Sequence, residues 1–240
     1  MSGLEHHLIH QLDVLPPRFF WHDVRARAVA SFLPRERPFT LVDIGAGAGQ
    51  FGLYLRNTYP QCGYRFVEPL EPLSRRLEGI FGSAANAGAW RDFRGVEYVT
   101  LLDVLEHQQD DAAFLAELAN KMDPGATLLV TVPAFGRLWS SWDDALGHYR
   151  RYDRRMLLRL VGGTAFEATK AYYLFPELLP GAWLRTWTRR TGRRGTPTDA
   201  EFPRLPRLVN GAFYAMGVLS WSCRRWLPFG TSLLAALIRR

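Results

Sequence analysis

Two carboxylates and a cluster of glycines are the first residues in this chain whose types and spacing could do chemistry. In LVDIGAGAGQFG, Leu41 to Gly52, Asp43 closes an apolar run, and Gly45, Gly47 and Gly49 follow at alternate positions. Glycine tolerates left-handed backbone angles and puts no side chain between the amides and a ligand. The spacing therefore predicts a sharp turn with exposed N–H groups at the start of a helix. Glu68 lies nineteen residues after Gly49, at the end of a second apolar run. A carboxylate there can accept hydrogen bonds from two ribose hydroxyls, and the pair points to a nucleoside cofactor. A pyrophosphate cofactor favours G-x-G-x-x-G, whereas this loop reads G-x-G-x-G. Asp43 would repel a diphosphate and suits a group carrying sulfonium and ammonium charges.

Two further clusters carry titratable groups. In DVLEH, Asp103, Glu106 and His107 are spaced i, i+3, i+4. On a helical turn this sets two carboxylates and an imidazole on one side, where they could hold a hard divalent ion. We expect no metal, with Asp103 on the cofactor and His107 lining the pocket. In GHYRRY, Gly147 to Tyr152, His148 is either a general base or part of a structural turn tied to Asp143 or Asp144, with the arginines solvated. Arg150 or Arg151 is a candidate for an anionic acceptor group, and Arg25 or Arg27 for a cofactor carboxylate.

The elements that must position these groups alternate. Phe20, Val24, Ala28 and Phe32 recur at fours, which predicts a helix in an N-terminal segment spanning residues 1–37. TLVDIG, YRFVEP, VEYVTLLDV and ATLLVTVPAF read as strands, and FGLYLRN, PLSRRLEGIF and DDAAFLAELANKM as the helices between them. Alternation of this kind implies a parallel sheet covered on both faces, with ligands at the carboxyl ends of its strands. FEATKAYYLF and SLLAALIRR read as a closing antiparallel pair.

At this point the sequence resembles the class I S-adenosylmethionine-dependent methyltransferases. LLDVLEHQQDD, Leu101 to Asp111, is similar to the fourth-strand motif of the branch that includes quinone-type methyltransferases, and MDPGATLLVTVPAF to its L-x-P-G-G-x-L-L-V-x-V-P segment. RFFWHDVRARAV resembles the W-x-x-x-R-x-R segment of a bacterial subgroup, and LWSSWDDALGHYRRY matches that subgroup's L-W-S-x-x-D-x-x-x-G-H-x-R-R-Y signature. The resemblance covers residues 18 to 175. It implies one α/β domain over 1–240, with a Rossmann-like sheet of seven strands, helices on both faces and a helical insertion before the last strand. It also implies S-adenosyl-L-methionine as cofactor and S-adenosyl-L-homocysteine as product. The implied cofactor contacts are Asp43, Gly45, Ala46, Gly47, Gly49, Gln50, Phe51, Glu68, Pro69, Asp103, Val104 and Arg25. The catalytic group would be His148 with Asp143 and Tyr152. DVLEH is similar to the E-x-x-E-H metal site of some O-methyltransferases, which keeps metal assistance through Asp103, Glu106 and His107 as an alternative. The chain departs from the family in GSAANAGAWRDFRGV, where a third strand and an adenine-contacting acid are usual. Asn86, Ala87, Trp90 and Asp92 are the candidates there.

Composition sets the surroundings. The formal charge is +7, only two of the thirty basic residues are lysine, and from Pro176 onward eleven arginines face three acids. No recognition helix, stacking platform or basic groove accompanies them, so nucleic acid is not the expected partner. Cys62 and Cys223 form no disulfide framework, and the first residues carry no basic-then-apolar leader, so a cytoplasmic setting is expected. Residues 176–228 exceed a tight connection and contain apolar, Trp-rich stretches. They are expected to pack on the sheet, to cap the site as a lid, or to lie on an anionic membrane surface with Trp183, Trp187, Trp221 and Trp226 at the interface. Either of the last two implies a small or lipid-linked apolar acceptor; O-methylation is expected separately, with His148 as the candidate base. The rival is a catalytically silent cofactor-binding protein whose insertion serves assembly.

Overall fold

The structure is a computed structural model that describes residues 7–8, 19–88, 93–190 and 204–240, excluding the side chains of 187–190. Among the described residues, six strands form one sheet: β1 (Phe39–Ile44), β2 (Cys62–Val67), β3 (Tyr98–Leu102), β4 (Thr127–Pro133), β5 (Phe166–Leu174) and β6 (Ser232–Arg239), in the order β2-β1-β3-β4-β6-β5. The first four are parallel, and β6 runs antiparallel to both β4 and β5.

The helices include those the periodicity predicts and two that it did not, at Ser141–Leu146 and Arg154–Gly162. In chain order they are α1 (Phe20–Ala30), α2 (Gln50–Thr58), α3 (Glu71–Phe81), α4 (Asp111–Lys121), α5 (Ser141–Leu146), α6 (Arg154–Gly162), α7 (Leu179–Arg190) and α8 (Arg207–Ser222). Asp110 caps α4 by accepting from the Ala113 N–H, and Asp153 caps α6 by accepting from the Met156 N–H, both at 2.8 Å.

Alternate residues of each central strand feed two cores. Val42, Ile44, Val99, Leu101, Leu128 and Val130 pack with Leu115, Leu118 and Leu157 on one face. Leu41, Leu129, Leu234 and Ala236 pack with Val24, Ala28, Val29 and Leu55 on the other. Strands buried on both faces explain the near-continuous apolar runs in the sequence. Each fully buried Leu contributes about 1.5–3 kcal/mol relative to exposure.

The expected seventh strand is absent among the described residues. In its place the chain makes a 3₁₀ turn at Ser83–Ala85 and a single parallel bridge, Phe66 to Asn86. The reason is compositional: Gly82 to Gly88 consists of Gly, Ala, Ser and Asn, with no β-branched or aromatic residue to fill a pleated surface. Trp90 and Asp92 lie outside the described residues. Between β5 and β6 stand α7 and α8.

Candidate functional site

The chain leaves β1 for β2 on one side and later crosses to β3 on the other, so the carboxyl ends of β1 and β3 form a switch point of strand order. Ligands bind at such points in open α/β sheets. A cavity of about 560 Å³ opens there, lined by the loop after β1 (Gly45–Ala48), by Glu68 and Pro69 after β2, and by Leu102–Val104 after β3. His148 and Arg151 approach from the far side, and Phe19, Phe20, Trp21 and Arg25 of the α1 region close another wall.

The glycine loop makes the predicted sharp turn, but its N–H groups are not left exposed: those of Gly45 and Ala46 donate to Val67 O at 2.8 and 3.3 Å and that of Gly47 to Glu68, and the glycines do different jobs. Gly45 sits at φ 71°, and a Cβ there would lie 2.6 Å from Val104 Cγ2, so the bare backbone lets β3's loop close over the turn. Gly49 sits at φ 82° as the residue before α2, where a Cβ would meet Leu77 Cδ2 at 2.5 Å. Its constraint is packing against α3, and Gly49 does not line the cavity. Ala46, Gly47 and Gln50 do, whereas Phe51 is buried in the core behind the loop.

Glu68 is where the pattern placed it, at the tip of β2. Its carboxylate accepts from the Gly47 N–H at 2.7 Å and the Leu70 N–H at 2.9 Å, which fixes it against the loop and leaves lone pairs toward the cavity. Burial pushes its carboxyl above the usual range, opposed by those two amides.

Asp43 does not line the cavity, because it lies under the loop as the last inward residue but one of β1. It accepts from Thr100 Oγ1 at 2.6 Å and from the Tyr64 hydroxyl at 3.2 Å. Burial outweighs these bonds and the Arg25 charge, pushing the carboxyl up to about 6. The charge that does face the cavity at this end is Asp103, at φ 60° and ion-paired with Arg25, which stacks on Trp21 at 4.3 Å. Arg27 is exposed.

The DVLEH cluster is split by that backbone turn. Only Leu105–His107 is helical, as a single 3₁₀ turn, so Asp103 is drawn away to Arg25 and does not join Glu106 and His107. His148 takes its place: one ligand atom each of Glu106, His107 and His148 lie within 4.8 Å of one another, a set able to hold a cation. The two imidazoles meet edge to face at 4.8 Å. Glu106 is fully buried and neither carboxyl oxygen has a hydrogen-bond partner; burial, then the Asp103 charge, pushes it well above the usual range. Burial, then the neighbouring His148 and His7, pushes His107 down to about 3, so it is neutral at physiological pH.

His148 is held by a buried carboxylate. Its Nδ1 lies 2.9 Å from Asp143 Oδ1, which also accepts from Arg151 Nε at 2.7 Å, while Asp143 Oδ2 accepts from the Ser140 N–H at 2.9 Å. Although burial alone would raise it, the His148 hydrogen bond and the Arg151 charge hold the Asp143 carboxyl below its ordinary value. Nε2 of His148 is thereby left for the cavity.

Tyr152, expected in the catalytic group, lies in the core and off the cavity wall. Its hydroxyl donates to Asp111 Oδ2 at 2.8 Å, and Arg150 pairs with the same carboxylate at 2.8 Å. Asn86 donates to Ser74 and Glu78, and Ala87 is buried, so neither adenine candidate reaches the cavity. Residues not named in advance also line it, among them His7, Trp142 within the signature segment, and Gly181, Ala182 and Arg185 of α7 in the expected lid segment.

A switch-point cavity with a glycine loop and a ribose-type acid defines a Rossmann-like cofactor-binding protein. The methyltransferase-domain family matches residues 17–171, and the chain belongs to it; it is an S-adenosylmethionine-dependent methyltransferase. Comparison with curated proteins finds no match. Among solved structures, the complex between the Haloferax volcanii Trm112 methyltransferase activator and a methyltransferase is similar, with 15% identity, a TM-score of 0.57 and coverage of 91% of this chain and 89% of that one. The Haemonchus contortus phosphoethanolamine N-methyltransferase 2 with S-adenosyl-L-methionine gives 15% identity and a TM-score of 0.57, covering 91% of this chain and 52% of that one. Geranyl diphosphate C-methyltransferase from Streptomyces coelicolor, with Mg²⁺, geranyl-S-thiolodiphosphate and S-adenosyl-L-homocysteine, gives 14% identity and a TM-score of 0.56, covering 91% and 76%. These likenesses concern the fold.

Proposed function

We propose that the chain transfers the cofactor's methyl group to a hydroxyl of an apolar acceptor, small or lipid-linked, with His148 as general base. The observation that carries this reading is the Asp143–His148 pair, which holds one imidazole nitrogen and leaves the other facing the cavity that the glycine loop and Asp103 border. The acceptor oxygen attacks the methyl carbon, the carbon–sulfur bond breaks, S-adenosyl-L-homocysteine leaves, and the hydroxyl proton passes to His148 Nε2.

Glu68 would accept from the ribose hydroxyls, the Gly45–Gly47 turn, whose N–H groups are spent on Val67 O and Glu68, would give the cofactor close approach to a backbone without side chains, and Arg25 would offer its remaining N–H groups to the methionyl carboxylate. Phe19, Phe20, Trp21, Leu138, Trp142 and Leu146 give the acceptor side an apolar wall. α7 contributes Gly181, Ala182 and Arg185 to that side, with Arg185 over the Trp142 ring at 4.9 Å, which suits a lid. Solved neighbours are named for nitrogen and for carbon transfer, so the choice of oxygen rests on the His148 pair alone.

A second reading has its own observation. The unpartnered Glu106 carboxyl beside His107 and His148 could hold a divalent transition ion that polarises the acceptor oxygen, with Asp143 orienting His148 behind it. Labelled-methyl transfer to aromatic and polyprenyl alcohols, run before and after exhaustive chelation, separates the two. The base reading expects turnover to survive chelation. Loss of turnover that returns with added Mn²⁺ or Zn²⁺ would replace it with the cation reading.

A further inference from the structure

We infer that the outer face of α8 docks on an anionic lipid bilayer. α8 has two apolar faces, and the fold uses only one. Inward, Phe213 stacks on Phe20 at 5.1 Å, Trp221 is buried against Phe32 and Tyr172, and Gly217 lets Val24 approach so closely that a Cβ would lie 2.8 Å from it. Outward, Leu208, Ala212, Ala215, Met216 and Leu219 recur at helical spacing, all exposed, with Leu208 at 89% and Leu219 at 66%. A solvated helix face carries charge, yet no charged residue stands between Arg207 and Arg224.

The flanks say what covers this face. Arg204 and Arg207 precede the stripe, Arg225 and Trp226 follow it, with Trp226 86% exposed, while Arg224 turns inward over the Trp221 and Tyr172 rings, and no acidic residue occurs after Glu201. Arginines and a tryptophan at the ends of an apolar stripe match the depth profile of a bilayer surface, with headgroup phosphates for the guanidinium groups and acyl chains for the stripe. A second copy fits poorly: pairing the face about a two-fold axis, parallel or antiparallel, brings arginine ends against arginine ends. Nor does α8 cross the membrane. It has 16 residues, and no helix among the described residues is long and apolar enough to span one.

Docking this way sets the methyl-transfer cavity beside the bilayer, because α8 packs on α1, whose Phe20, Trp21 and Arg25 line the cavity, and Asn210 accepts from the Phe20 N–H at 2.9 Å. The lipid-linked option among acceptors follows, a consequence that rests on the transfer reading; the docking itself does not.

The full chain is sedimented with vesicles of phosphatidylglycerol mixed with phosphatidylcholine, and with phosphatidylcholine alone. Partition is expected to be roughly tenfold or more stronger on the anionic vesicles and to fall with added salt. It should drop by a similar factor in Leu208→Glu/Leu219→Glu and in Arg204→Gln/Arg207→Gln/Arg225→Gln, with circular dichroism unchanged. Equal partition on both vesicles, or undiminished partition of the Leu208→Glu/Leu219→Glu protein, overturns the inference. So does a wild-type dimer that becomes monomeric in that variant without vesicles, which would give the face to a second copy. Failure of the protein to bind S-adenosyl-L-homocysteine would sink the transfer reading and leave this result standing.

Discussion

His148→Ala is expected to lower kcat by about 10²-fold or more while leaving S-adenosyl-L-homocysteine affinity within a factor of about two. The split follows from the position of the imidazole. It borders the acceptor side of the cavity and touches none of Gly45, Gly47 or Glu68 through any hydrogen bond. Removing it takes away the proton acceptor and spares the cofactor contacts, so the loss should fall on kcat. His148→Gln, which can still hydrogen-bond Asp143 but cannot take a proton at neutral pH, should be nearly as slow. Single-turnover rates check this; a His148→Ala rate within threefold of wild type would make the imidazole a structural turn residue and remove the base.

Asp143→Ala is expected to cost about 3–5 kcal/mol of stability, the scale for removing one partner of a buried ion pair. Three groups lose their acceptor at once: the Ser140 N–H that starts α5, His148 Nδ1 and Arg151 Nε. Arg151 is the costly one, since its side chain is 9% exposed and a guanidinium does not shed its charge. The pH dependence has a definite sign. A carboxyl whose folded pKa is depressed stabilises the fold fully above its unfolded value, about 4, and loses that contribution as pH falls toward the folded value. The difference in urea-unfolding free energy between wild type and Asp143→Ala should therefore be flat from neutral pH down to about 4 and shrink below it. A difference under 1 kcal/mol at pH 7 would mean that Arg151 finds water or another acceptor.

What could be read in advance divides along physical lines. Strands that alternate with helices and end in an acid or glycine are local patterns, so β1 to β4, the loop after β1 and the place of Glu68 were legible. So was the closing pair, because Phe166–Leu174 and Ser232–Arg239 are apolar and flanked by breakers. The third strand was expected from resemblance, and Gly82–Gly88 lacks the residues to make it. Asp43 was read as facing a ligand because it ends a strand next to glycines. Which side a strand-end residue faces depends on register, and Thr100 and Tyr64 of the neighbouring strands capture it instead. The spacing in DVLEH assumed a helix from Asp103 onward. Asp103 instead has a positive φ and pairs with Arg25, seventy-eight residues away, which no local pattern reports. Separation in sequence likewise hid the joining of Glu106 to His148, and the capture of Tyr152 and Arg150 by Asp111. Trp221, expected at an interface, is buried by its neighbours Phe32 and Tyr172, and Trp226 holds the exposed position. The side chain of Trp187 lies outside the described residues.

The central claim is that the cavity at the ends of β1, β2 and β3 holds an adenosyl sulfonium cofactor through the Gly45–Gly47 turn and Glu68. Calorimetric titration of the wild-type chain and of Glu68→Ala with S-adenosyl-L-homocysteine, and of the wild type with NAD, tests it most directly. Micromolar binding of the first ligand, none of the second, and more than about tenfold weaker binding in Glu68→Ala, or about 1.4 kcal/mol, are expected. Wild-type affinity in Glu68→Ala, or NAD binding in preference to S-adenosyl-L-homocysteine, would contradict the assignment of the site.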